Sequence, residues 1–398
     1  MTPGPPPAAE RHEAIVIGAG PAGLAAAALL RRRGFETLVL ERSGQVGARW
    51  AARYDGLRLN SMRIFSTLPG YRIPRRDGRF PSRDAFVSYL GDYASHHGLD
   101  VRLETELDRV DRPEADGWWR LGTSRGPLLA RYAVVATGFD AIPVRPDWAE
   151  SGGFTGELLH SSELRALQPY RGREVLVVGA GNSGLDIAGH LVDIGATVSV
   201  AMRTPPNLFP RQWHGIPLQP LGLPAERLPP KVGDVAGRGI QHLIYGDLSP
   251  HGIPRAPEGI QSTFRHRLVS PAIDAGFVAA LKGGRTRIVK PVAGLDGSDV
   301  VLVDGTRLQP DAVICATGYR RGLEGLVGHL GVLRPDGVPV HFHGAPEHPA
   351  APRLYFAGFD GAPTGQIRLM PGHARRIARS VGRDRQRASS PSTQPAGI

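Results

Sequence analysis

Ala14-Ile15-Val16-Ile17-Gly18-Ala19-Gly20-Pro21-Ala22-Gly23-Leu24 is the stretch on which the reading of this chain turns. A short apolar run reads as a buried strand, breaks into Gly-x-Gly-x-x-Gly, and continues as an Ala/Leu-rich helix from Leu24 to Leu30. Gly18 permits the tight turn, Gly20 lets backbone approach a pyrophosphate, and Gly23 lets the helix pack on the strand. Pro21 and Ala22 complete the turn, and the pyrophosphate then sits on the positive end of the helix. A second strand, Glu36 to Leu40, ends in Glu41, about 20 residues beyond Gly20, where a carboxylate accepts both ribose hydroxyls of an adenine nucleotide. An acid at that place binds a free 2′-hydroxyl, so the first nucleotide is FAD or NAD rather than NADP.

The pattern occurs twice. Val175 to Val178 reads as a strand, Gly179-Ala180-Gly181-Asn182-Ser183-Gly184 as the turn, Leu185 to Ile194 as the helix and Thr197 to Met202 as the next strand. This strand ends in Arg203, in nearly the register of Glu41. A guanidinium there accommodates a 2′-phosphate, which makes the second nucleotide NADPH; the alternative is a solvated surface charge. Each copy closes alike, with Ala136-Thr137-Gly138 and then Ala316-Thr317-Gly318 after an apolar strand. Small residues there suit close approach of backbone to a cofactor. The fold class is therefore α/β, with two Rossmann-like dinucleotide-binding domains. The expected layout is a discontinuous FAD-binding domain, 13–168 and 319–381, with an NADPH-binding domain, 169–318, inserted in it. Residues 1–12 and 382–398, rich in Pro or in Arg and Ser, read as disordered tails.

Composition narrows the function. Apolar residues make up 41% of the 398, ordinary for a globular chain, and no window approaches the length of a membrane span. The N-terminus has no basic-then-apolar signal layout, so the cytoplasm is the expected compartment. The net charge of +11 comes largely from scattered Arg without aromatic-interleaved stripes, which argues against nucleic acid as partner. Cys315 is the single cysteine, so neither an intramolecular disulfide nor a redox dithiol pair is available. The histidines show no metal-binding spacing, and His341-Phe342-His343 alternates as a strand would, so no metal is expected. Oligomeric state is not legible.

Between the motifs, Ser82 to His97 reads as a helix capped by Ser82, with strands at Val101–Leu103 and Trp118–Leu121. Residues 204–270, rich in Pro and Gly with weak periodicity, read as irregular insertion or as a wall of the substrate pocket. Val300–Val303 and Arg307–Leu308 flank Asp304-Gly305, a hairpin signal. Leu354 to Asp360 reads as a strand and turn before a final helix, Gly365 to Val381.

Phe154-Thr155-Gly156-Glu157-Leu158-Leu159-His160-Ser161-Ser162-Glu163-Leu164 resembles the Phe-x-Gly-x-x-x-His fingerprint of the class B flavin-containing monooxygenases. Leu164 stands where that fingerprint has an aromatic, and Leu164-Arg165 also departs from the Baeyer–Villiger form. Gly-Ala-Arg-Trp at 47–50, both Ala-Thr-Gly turns and Leu-Tyr-Phe-Ala-Gly-Phe at 354–359 follow in the order these enzymes show. His251-Gly252-Ile253-Pro254-Arg255, Ala272 to Gly276 and Arg287-Ile288-Val289 look most like plant YUCCA-type monooxygenases and their bacterial relatives.

The resemblance implies FAD reduced by NADPH, oxygen adding at the flavin C4a to form a hydroperoxide, and transfer of one oxygen to a small organic substrate. The substrate is a nitrogen or sulfur compound, or a 2-oxo acid in the YUCCA-like case. Rival readings are a Baeyer–Villiger oxygenase of ketones, an NADPH oxidase or flavin reductase, and a nucleotide sensor without turnover. Asn60 is the catalytic candidate beside the flavin, against a loop cap; His160 either orients the linker or moves protons. Arg42, Arg49, Trp50, Val110, Asp360 and Gln366 join the FAD candidates, with Asp360 placed near the ribityl or phosphate region. Ser161 and Ser162 are assigned to the nicotinamide half of NADPH. Cys315 reads as a buried strand residue.

Overall fold

The computed structural model describes residues 9–112, 116–150 and 152–389. Each glycine motif leaves the end of a central strand in its own sheet. In the first sheet Asp100–Arg102, Thr37–Leu40, Glu10–Ile17 and Leu128–Val135 run parallel, and Leu354–Phe356 adds in parallel beside the end of Leu128–Val135. An antiparallel meander of Trp119–Thr123 and Leu107–Asp111 continues from the start of that strand. The second sheet is wholly parallel, in the order Thr286–Val289, Thr197–Ala201, Glu174–Val178, Ala312–Cys315, Glu157–His160. Thr37–Leu40 and Ala312–Cys315 are buried at every position, which is why they read as unbroken apolar runs rather than as alternation.

The first motif's helix, Pro21–Arg31, is buried along almost its whole length. Its alanines let the sheet approach on one side and the C-terminal helix Met370–Ser389 on the other, through Ala374, Ile377, Ala378 and Val381. Ser82 caps Arg83–His96 by accepting from the Ala85 N–H at 3.2 Å, as its sequence predicts. Asp299–Leu302 pairs with Arg307–Leu308 in the expected hairpin.

Several boundaries move. Glu10, Arg11 and His12, expected in the N-terminal tail, pair with Leu128, Leu129 and Ala130. The helix that was to end at Val381 continues to Ser389, so 382–389 is helical rather than tail. Glu157–His160, counted with the first domain, is an edge strand of the second sheet. Residues 204–270 are not irregular: they hold helices Gln219–Ala225, Pro230–Tyr245 and Ile260–Arg267. Pro and Gly within Gln219–Ala225 and Pro230–Tyr245 lower the helix propensity that would announce them.

Candidate functional site

The two glycine turns are built alike. Gly18 has φ +106° and Gly179 φ +113°, a region that favours glycine. A Cβ on Gly18 would stand 2.5 Å from the Ala136 carbonyl oxygen, and one on Gly179 equally 2.5 Å from that of Ala316. On Gly23 or Gly184 it would stand 1.9 Å from the carbonyl oxygen of Gly18 or Gly179 respectively. The Ala-Thr-Gly turns are thus the floors on which the motif glycines rest. Gly20 and Gly181 are the N-cap residues of Pro21–Arg31 and Asn182–Asp193, and neither helix has a side-chain cap. The terminal N–H groups therefore remain available to an anion, in contrast to the helix that Ser82 closes.

One pocket of about 650 Å³ runs from the first motif across the junction between the sheets. Gly18, Gly20, Pro21, Ala22, Glu41, Arg42, Arg49 and Trp50 line one end, with Ala136, Thr137, Gly138 and Gln366. Glu41 Oε2 accepts from Ala19 N–H and Oε1 from Ser43 N–H, each at 3.0 Å, which fixes the carboxylate at the pocket with lone pairs to spare. Trp50 meets Phe86 edge-on at 4.9 Å while facing the pocket. Arg42 lies 3.7 Å from Glu106.

At the junction, Asn60 Nδ2 donates to Asn182 Oδ1 at 3.2 Å. Asn182 is itself fixed by backbone: its Oδ1 accepts from Ile273 N–H at 2.9 Å, and its Nδ2 donates to the Pro271 carbonyl at 2.9 Å. These contacts set which way both amides point, and leave Asn60 Oδ1 buried without a partner. One further clamp joins the two domains, and a second braces the first domain beside it. Tyr54 donates to Asp186 Oδ2 at 2.5 Å, and burial, with Asp186 beside it, pushes the phenol well above its ordinary pKa. Arg53 joins Asp140 at 2.8 Å and the Tyr319 hydroxyl at 2.6 Å.

Of the second motif, Asn182 and Ser183 reach this pocket, while Arg203 stands exposed beyond Thr197–Ala201. Thr317 Oγ1 donates to the Val144 carbonyl at 2.5 Å, and Gly318 (φ +93°) repeats Gly138 (φ +94°).

Five of the assigned residues, Val110, Asp360, His160, Ser161 and Ser162, stand outside the lining of this pocket. Val110 is enclosed with Trp119 and Leu121 in the core under the meander; Leu107, on the same strand, faces the pocket instead. Asp360 turns from the pocket to His343, 2.8 Å from its Nδ1. His160 is fully buried at the end of its strand, with Nδ1 accepting from Ser162 N–H at 3.1 Å and the ring edge-on to Tyr319. Burial pushes its pKa down, and it does not line the pocket, which fits its orienting reading and not proton transfer. Ser161 and Ser162 lie beside it, away from the pocket lining.

The far wall is helical, and of the two readings of 204–270 the structure supports the pocket wall. Gly233, Ala236, Gly237 and Ile240, spaced as one helical face, line it from Pro230–Tyr245. Gln219 ties it to the flanking loops, accepting from Met62 N–H and donating to the Thr364 carbonyl, each at 2.6 Å. Arg58 and Arg211 add two guanidiniums to the lining. Arg211 lies over the Phe80 ring at 5.1 Å with a buried, unpartnered Nε, and burial, followed by Arg58, lowers its pKa. No metal was expected among the histidines, yet His343 has an acid partner in Asp360, 17 residues further along the chain and so outside any local spacing.

The profile of the pyridine nucleotide-disulphide oxidoreductase family matches residues 15–220. Indole-3-pyruvate monooxygenase YUCCA1 of Oryza sativa subsp. japonica is 34% identical over 335 residues, covering 82% of each chain. A flavin-containing monooxygenase from Stenotrophomonas maltophilia superposes with a TM-score of 0.70 at 24% identity, over 94% of this chain and 99% of the other. A steroid monooxygenase bound to NADP superposes at 0.74 and 17% identity, over 95% of this chain and 87% of the other. Among the described residues, no helix is long and apolar enough to cross a membrane.

Proposed function

The chain belongs to the YUCCA-type flavin monooxygenases, and we propose that it oxygenates a 2-oxo acid with O2 and NADPH. It is an FAD- and NADPH-dependent enzyme, and its two uncapped, glycine-floored helix ends fit the two pyrophosphates. Bound FAD, reduced by NADPH, supplies the oxygen-activating chemistry.

The protein's part is holding and desolvating. Glu41 receives the adenosine ribose hydroxyls of FAD on its remaining lone pairs. Arg203, free at the strand end, pairs with the 2′-phosphate of NADPH. Asn60 keeps Oδ1 toward the junction as a neutral acceptor, for the nicotinamide amide or the substrate, because Asn182 fixes its amide. The wall Pro230–Tyr245 excludes water from the reacting end.

The observation that carries the substrate reading is Arg211, half sheltered, with a buried donor unmet by protein. Its planar fork suits a carboxylate, and Arg58 adds a second positive charge. Overall, one oxygen atom would enter the acid left after the 2-oxo acid loses CO2, and the other would leave as water.

The test is rapid mixing of the anaerobically NADPH-reduced, FAD-loaded protein with oxygen, followed by product analysis. A long-lived absorbance distinct from both oxidised and reduced flavin, discharged by a 2-oxo acid with release of CO2, supports the reading. Immediate return of oxidised flavin with stoichiometric hydrogen peroxide, whatever the substrate, makes it an oxidase.

A further inference from the structure

His343, Asp360 and His373 meet outside the nucleotide pocket. They come from three segments: a loop, the turn after Leu354–Phe356, and the first turns of Met370–Ser389. His343 Nδ1 lies 2.8 Å and His373 Nε2 3.5 Å from the same oxygen, Asp360 Oδ2. One ligand atom from each residue falls within 4.8 Å of the others.

His373 decides how the cluster is read. Its side chain is 1% exposed, and neither ring nitrogen has a hydrogen-bond partner. A buried polar group left so costs about 1–3 kcal/mol. Asp360 Oδ1 accepts from Gly361 N–H at 2.8 Å, which orients the carboxylate and leaves Oδ2 for the cluster. The loop bearing His343 is held close: a Cβ on Gly344 would stand 2.7 Å from the His373 carbonyl oxygen. Nearby cations are engaged or solvated. Arg368 pairs with Glu226, Arg376 Nε donates to the His343 carbonyl at 2.5 Å, and Arg375 is exposed.

Two imidazoles and one carboxylate are a donor set for a first-row divalent metal, and the adjoining cavity at His343 gives room for a fourth, exchangeable ligand. We propose that His343 Nδ1, Asp360 Oδ2 and His373 Nε2 bind one divalent transition-metal ion. The ion replaces the His343–Asp360 contact, and His343, 59% exposed, has freedom to adjust. Its structural effect is to brace residues 358–366, of which Gly358, Pro363, Gly365 and Gln366 line the nucleotide pocket. This holds whatever substrate the pocket takes.

The test uses the tag-free, full-length, FAD-loaded protein, stripped with a chelator and titrated with Co²⁺ and then Zn²⁺. The expected result is one equivalent of Co²⁺ with visible absorption, displaced by Zn²⁺, and a rise in Tm on Zn²⁺ addition. His343→Ala, at an exposed position and with flavin content confirming its fold, weakens binding on the order of a hundredfold and loses the Tm shift. Asp360→Asn does the same. Absence of saturable Co²⁺ or Zn²⁺ binding, or equal binding by wild type and His343→Ala, overturns the proposal and leaves a His–Asp–His contact without metal.

Discussion

Asn60 and Asn182 join the two nucleotide units by one side-chain hydrogen bond of 3.2 Å, at the floor of the pocket both units line. Its direction is set by two backbone groups, Ile273 N–H and the Pro271 carbonyl. Asn60→Ala removes the neutral acceptor without a charge change. Product formed per NADPH is expected to fall on the order of tenfold, with peroxide rising to match, while FAD content holds. Coupled assays of NADPH, product and peroxide check it; unchanged coupling would assign Asn60 to the loop alone.

The equivalence of Gly18 and Gly179 predicts separable losses. Either alanine variant sets a Cβ 2.5 Å from a carbonyl oxygen, at positive φ. Strain of about 1–3 kcal/mol should fall on one cofactor at a time. Gly18→Ala is expected to purify with depleted flavin. Gly179→Ala should keep flavin but raise KM for NADPH about tenfold or more.

Arg203 stands exposed just beyond Thr197–Ala201, the position from which a guanidinium would reach a 2′-phosphate. Arg203→Ser is expected to raise KM for NADPH by roughly ten- to a hundredfold, the worth of one or two charge-assisted hydrogen bonds, and to leave KM for NADH unchanged. Equal loss with both coenzymes would mean a structural role.

Arg211→Ala should raise KM for a 2-oxo acid on the order of tenfold or more and leave oxidation of an uncharged thioether unaffected. Arg211→Lys should recover only part, because the ammonium lacks the planar fork. Steady-state kinetics on the two substrates separates carboxylate recognition from damage to the wall.

Cys315 is fully buried, and burial pushes its thiol up to about 11. The folded protein holds this proton more tightly than the unfolded chain, whose thiol titrates at the ordinary 9.0. Its contribution to stability is therefore complete below that value and is lost as pH rises toward about 11. Native protein should resist iodoacetamide at neutral pH and react once unfolded. Cys315→Ser should flatten the alkaline fall in Tm attributable to this group.

The sequence named most residues that line the first-motif end of the pocket, because a glycine turn and its helix start are local. A strand, a turn of glycines and a helix start occupy consecutive residues, and each glycine is required by backbone that lies within the same motif or its Ala-Thr-Gly floor. Even the floor is legible, since the chain states it twice. Val110 lies outside that lining for the opposite reason: a bulge between Leu107 and Arg109 breaks the strand's alternation, and only packing against Trp119 decides where Val110 goes.

By itself, then, the sequence determined an α/β chain with two dinucleotide motifs, an acid after one and a guanidinium after the other, and a family resemblance that the comparisons bear out. Tertiary structure alone decided the wall Pro230–Tyr245, the Asn60–Asn182 contact, the outward turn of Asp360 and the placing of Arg211. The physical reason is range. Nucleotide turns are fixed by backbone sterics between near neighbours, whereas a pocket wall is an agreement among distant segments whose glycines and prolines weaken local helix propensity, so that packing decides.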